Sequence, residues 1–212
     1  MKRVGILLSG RGSNMAALVA AAEALDYPAE IAVVLSNRAD AQGLAYAQAA
    51  GIPAVAVPHR DFGRDRAAHE ARMVEVLDMH GVEIVCLAGY MRLLTPFFVA
   101  RYAGRMLNVH PSLLPAFPGL DTHGRALATG VKLHGCTVHL VTEVMDEGPI
   151  LAQAAVPVLP DDTEATLAAR VLAQEHLIYP AALAAFAAGH AGALPAPTAA
   201  LRNPLPAAPV AF

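Results

Sequence analysis

Apolar residues fall in short runs, at 4–8, 31–35, 54–57, 84–88 and 106–109, each too brief for a helix and each bounded by glycine or polar residues. The first two runs each lead through a turn into an Ala/Leu-rich stretch of helical period, the second ending near residue 50. A charged helical segment at 64–80 separates the third run from the fourth. Strand followed by helix, repeated, predicts a parallel sheet. Right-handed crossovers then put helices on both faces and all five strand carboxyl ends on one edge, where open α/β sheets bind ligands.

The second half has a different rhythm. Runs at 136–141 and 150–158 flank Met145-Asp146-Glu147-Gly148-Pro149, a turn too short for a crossover helix, so the pair reads as an antiparallel hairpin. The fold class is therefore α/β, with an open mixed, mainly parallel sheet and helices on both faces. Asp161, Asp162 and Thr163 offer N-cap oxygens to one long helix reaching residue 188, with Gly189 as its stop. From about 190 the chain carries five prolines and a single charged residue. The expected organisation is one domain over 1–189 and a loosely ordered Ala/Pro tail over 190–212.

Composition narrows the partners. With 56% hydrophobic and 16% charged residues in 212, the chain has the apolar content to build a full core. A net charge of −3, from 15 basic and 18 acidic residues, gives no general attraction to nucleic acid or to an anionic membrane. Lys2-Arg3 is followed by too few apolar residues for an export signal, and the stretch after His176 is broken by glycines and prolines. A cytoplasmic protein is expected, with Cys86 and Cys136, fifty positions apart, both reduced.

Three groups of residues carry candidate chemistry. Ser9-Gly10-Arg11-Gly12-Ser13-Asn14 lies between the first strand and a helix, where small residues and unpaired helix N–H groups suit a phosphate. A dinucleotide fingerprint is weakened because its last glycine is missing and the second strand ends in Ser36-Asn37 instead of an acid; Gly-Lys-Ser/Thr is absent. A plain glycine turn with a Ser/Asn cap stays open as the alternative. At the end of the fifth strand, Asn108 and His110 are two residues apart and share one side, so an amide and an imidazole converge, a pair suited to an oxyanion and to proton movement. Asp146, in the hairpin turn, could pair with His110 and favour its charged form, or be ordinary turn chemistry. His134 and His139, at odd spacing, face opposite ways along a strand, and no ligand set for a metal is evident. Ser112 lies in a proline-bounded loop without a GxSxG elbow.

SGRGSN after the first strand, AGYMRLL at 88–94, NVHPSLLP at 108–115, the Asp146-Glu-Gly-Pro turn and Gln174-Glu175-His176 together resemble the phosphoribosylglycinamide formyltransferase family, folate-dependent enzymes of purine synthesis. The resemblance runs from residue 1 to about 189. It implies a Rossmann-like formyltransferase fold, 10-formyltetrahydrofolate as co-substrate, and no metal. It implies that Gly12, Ser13 and Asn14 bind the ribonucleotide phosphate and Glu175 another part of that substrate. Met91, Arg92, Leu93, Leu94 and Asn108 would line the folate site, together with Arg66 or, two residues away, Arg64. Asn108, His110 and Asp146 match the catalytic trio. Other readings are a formyltetrahydrofolate deformylase and a non-catalytic phosphate- or nucleotide-binding α/β domain. Partners would be small molecules only, on a monomer or homodimer.

Overall fold

The computed structural model describes residues 1–190; the remainder of the predicted tail lies outside the described residues. Strands β1 (Lys2–Leu8), β2 (Ala29–Ser36), β3 (Ala54–Ala56), β4 (Ile84–Leu87), β5 (Met106–His110), β6 (Leu133–Leu140) and β7 (Ile150–Pro157) form one sheet in the order β3-β2-β1-β4-β5-β6-β7. β1 pairs in parallel with both β2 and β4, β2 with β3, and β4 with β5, while β6 runs antiparallel to β5 and β7. The order reverses at β1. Its carboxyl end and that of β4 therefore open a crevice between the crossovers that run to either side.

Helices α1 (Ser13–Ala22), α2 (Gln42–Ala49) and α6 (Glu164–Ala187) cover one face, packing Met15, Leu18, Leu44, Tyr179 and Leu183 on Ile6, Leu8, Val34 and Leu107. α3 (Arg66–Met79) and α4 (Pro96–Arg101) cover the other, where Met73, Leu77, Phe98 and Tyr102 meet Leu7, Val33, Leu35 and Val85. Burial on both faces is why these strands read as unbroken apolar runs. Gly5 lets α3 pack closely on β1, since a Cβ would lie 2.6 Å from Leu77 Cδ2 and displace that side chain. The Tyr179 hydroxyl, fully buried, lies 3.1 Å from the carbonyls of Leu87 and Leu107 and fixes α6 across the ends of β4 and β5. α6 begins in a capping box: the Thr163 hydroxyl accepts from the Thr166 amide, and Thr166 accepts from the Thr163 amide.

The structure adds elements that the apolar pattern does not predict: a 3-10 turn at His59–Phe62, α4, and α5 (Thr122–Thr129). α4 carries a legible signal in Thr95-Pro96, a cap residue followed by proline at the first helical position. β6 starts at Leu133, earlier than the run at 136, because His134 and Gly135 continue the pairing with β7 although neither reads as a strand former.

Candidate active site at the carboxyl edge of the sheet

After β1 the chain turns at Gly12, whose φ of 80° is left-handed, and enters α1 with no side chain capping the helix. The first-turn N–H groups therefore stay available, with the positive end of the helix behind them. A Cβ on Gly12 would lie 2.9 Å from the Gly43 Cα, because the start of α2 packs directly under this loop. Asn14 Nδ2 donates to Glu175 Oε2 at 2.6 Å, joining residues 161 positions apart. Glu175 is buried, which pushes its carboxyl up, against the opposing hydrogen bond from Asn14. Asn14 Oδ1 is buried and has no partner among the described residues. A buried acceptor without a donor is the kind of atom a polar ligand completes.

The segment after β4 forms the opposite wall of the crevice. The Met91 amide donates to Ser9 Oγ at 2.8 Å, and Ser9 Oγ donates to Asn37 Oδ1 at 2.6 Å, so a buried polar relay ties this segment to the loop after β1. Met91 and Leu93 are 67% and 65% exposed, two apolar side chains held open at the edge, with Arg92 and Leu94 beside them. Arg66, the first residue of α3, donates to the Leu93 carbonyl; it, and not Arg64, is the arginine the fold joins to 91–94. Glu70 of α3 accepts from the Thr95 amide at 2.8 Å and from its hydroxyl, anchoring the far end.

Between these walls stand Asn108 and His110 on one face of β5, opposite His139 and Thr137 of β6 respectively. Asp146, at φ 59°, brings Oδ2 to 3.5 Å from His110 Nδ1, with both side chains 7% exposed. His110 Nε2 faces the Phe117 carbonyl at 3.0 Å, so it carries the hydrogen of that bond, and Nδ1 is the ring nitrogen left to act. Asp146 Oδ2 accepts from the Gly119 amide at 2.8 Å. The apolar pattern and motif spacing miss His139. Its Nδ1 donates to the Leu140 carbonyl at 3.0 Å, its Nε2 accepts from Asn108 Nδ2 at 3.2 Å and lies 3.8 Å from Asp146 Oδ1. Burial pushes the His139 ring pKa down, with the Leu140 carbonyl and Asp146 opposing, and a neutral ring accepting at Nε2 fits the bond from Asn108. Only the β5/β6 register reveals this residue, and register is not written in either strand alone.

Among the described residues, Cys86, Cys136 and Ser112 are not poised as nucleophiles. Burial pushes the thiols of Cys86 and Cys136 up to about 12, and Ser112 Oγ donates to the Ala116 carbonyl at 2.6 Å. Among the described residues no group of three or more His, Cys, Asp or Glu side chains is placed to hold a metal ion, and no helix is long and apolar enough to cross a membrane.

Comparison with known proteins bears on this geometry. A family model described as formyl transferase matches residues 2–183. Phosphoribosylglycinamide formyltransferase of Escherichia coli is 45% identical over 184 residues, covering 87% of this chain and 86% of that enzyme. The trifunctional purine biosynthetic protein adenosine-3 of Drosophila pseudoobscura pseudoobscura is 47% identical over 190 residues, which are 89% of this chain but 14% of that much longer protein. The crystal structure of phosphoribosylglycinamide formyltransferase from Brucella melitensis superimposes with a TM-score of 0.85 at 61% identity, covering 89% of this chain and 96% of that one.

Proposed function

The chain belongs to the formyl transferase family, and from that premise we propose that it transfers the formyl group of 10-formyltetrahydrofolate to the primary amine of 5-phosphoribosylglycinamide, in purine biosynthesis in the cytoplasm. The observation that carries this reading is convergence. A helix N-terminus with a buried, unpartnered Asn14 oxygen lies on the same sheet edge as Asn108, His110 and Asp146, so an anionic acceptor and an acyl donor can meet there.

In the proposed reaction the phosphate rests on the amides of Gly12 to Asn14, and Glu175 accepts from the sugar. The folate lies along Met91 to Leu94, with Arg66 beside its acidic end. The amine attacks the formyl carbon, and negative charge develops on the formyl oxygen. Asn108 has two amide hydrogens; His139 takes one and the other is aimed at that oxygen. His110 Nδ1 carries the proton from the attacking amine to the departing folate nitrogen, and Asp146 offsets the charge on the ring while it does so. Holding both substrates in one crevice can contribute up to about 7–11 kcal/mol of barrier reduction. No residue here needs a metal.

A deformylase would use the same three residues with water as acceptor, and would have no purpose for the Gly12–Asn14 loop. Purified protein incubated with both substrates, with folate absorbance followed while each is omitted in turn, tests the proposal. Turnover requiring both is expected. Turnover without the ribonucleotide identifies a deformylase, and ribonucleotide binding without any turnover identifies a non-catalytic domain.

A further inference from the structure

The segment 117–120 serves the reacting groups with its backbone, yet among the described residues it takes part in no backbone–backbone hydrogen bond. It is also conformationally unfavourable: Phe117 and Asp121, both at φ 54°, bracket Gly119 at φ 79°. Side chains alone hold it. Two of them, His110 on the Phe117 carbonyl and Asp146 on the Gly119 amide, are the groups whose positions matter for the chemistry. The third is Arg125, on α5.

Arg125 Nη1 donates to the carbonyls of Pro118 at 2.5 Å and Leu120 at 3.2 Å, on either side of Gly119. Its guanidinium carbon lies 5.6 Å from the centre of the Phe117 ring, and that ring meets His134 edge-on on its way to the core. Among the described residues Arg125 makes no ion pair, so no carboxylate competes for its donors. Both bonds leave one nitrogen, Nη1, while the planar guanidinium also lies near the Phe117 ring, a combination of contacts that a point-charge ammonium reproduces only in part.

We infer that Arg125 is a positioning residue for the reaction: it grips 117–120 so that the Phe117 carbonyl fixes the His110 ring with Nδ1 free, and the Gly119 amide fixes Asp146. The inference rests on the formyl-transfer reading for its kinetic test and on geometry alone for a second one. Arg125 touches neither substrate in that reading, so its loss acts on kcat.

Arg125→Ala should lower kcat about tenfold, leave both KM values within about twofold, and leave the melting temperature nearly unchanged because the side chain is exposed. Arg125→Lys, which keeps the charge and one donor direction, should recover part of the loss. Independently of activity, hydrogen exchange of the Gly119 amide, followed by NMR, should accelerate about tenfold in Arg125→Ala as its bond to Asp146 loosens. Unchanged Gly119 exchange overturns the grip, whatever the kinetics. Accelerated exchange with unchanged kcat overturns its role in the reaction. If the wild-type protein turns over no formyl folate, the functional reading fails and the exchange result still decides the grip.

Discussion

Asp146 adopts a left-handed conformation that asparagine also tolerates well, so Asp146→Asn removes the charge beside His110 without forcing the turn to move. His110→Ala should lower kcat on the order of a hundredfold or more, and Asp146→Asn on the order of tenfold. The double variant should lose little beyond His110→Ala, because the carboxylate acts through the ring. Losses that multiply in the double variant would return Asp146 to turn chemistry. Gly12 is a different kind of position: Gly12→Ala meets both the φ of 80° and the Gly43 backbone at 2.9 Å. We expect a stability loss of about 1 kcal/mol or more and a rise in the ribonucleotide KM that exceeds any rise in the folate KM. Denaturant midpoints and paired KM measurements check it.

The hairpin between β6 and β7 positions Asp146, and its geometry depends on Gly148. A Cβ there would lie 1.7 Å from the Leu140 carbonyl oxygen, the residue that also receives the His139 Nδ1 hydrogen. Gly148→Ala should therefore open the hairpin mouth, moving Asp146 and His139 together, and lower both kcat and the melting temperature. A variant with wild-type kcat would show that the turn is not what places the carboxylate. On the other wall, Ser9→Ala leaves the Met91 amide and the Asn37 oxygen unpaired, a loss of about 1–3 kcal/mol. The folate KM should rise more than the ribonucleotide KM, since it is the 91–94 segment that loses its tether to the sheet.

At the scale of the molecule, acid should be the destabilising condition. Burial lowers the pKa of His123, His134 and His139, that of His134 to about 4. Between the ordinary value of 6.5 and those lowered values the unfolded chain binds protons that the folded one does not, so stability falls as pH falls. Glu175, raised by burial, has the opposite sign and weakens the fold as pH rises through its folded value. Urea midpoints between pH 7 and 4.5 should shift less in His134→Gln than in the wild type; equal slopes would remove His134 from the account. Local periodicity and turn chemistry make several features legible before any tertiary contact is known. Parallel strands buried on both faces must be short apolar runs, Thr163 and Gly189 must bracket a helix, and Asn108 and His110 must share a face because they are two apart in a strand. Tertiary structure alone decided that Glu175 meets Asn14, that Asp146 reaches His110, that His139 stands opposite Asn108, and that Arg66 instead of Arg64 meets Leu93. Those pairings depend on strand register, on helix rotation and on how a strained loop folds back, and each of these is fixed by packing among segments distant in the chain.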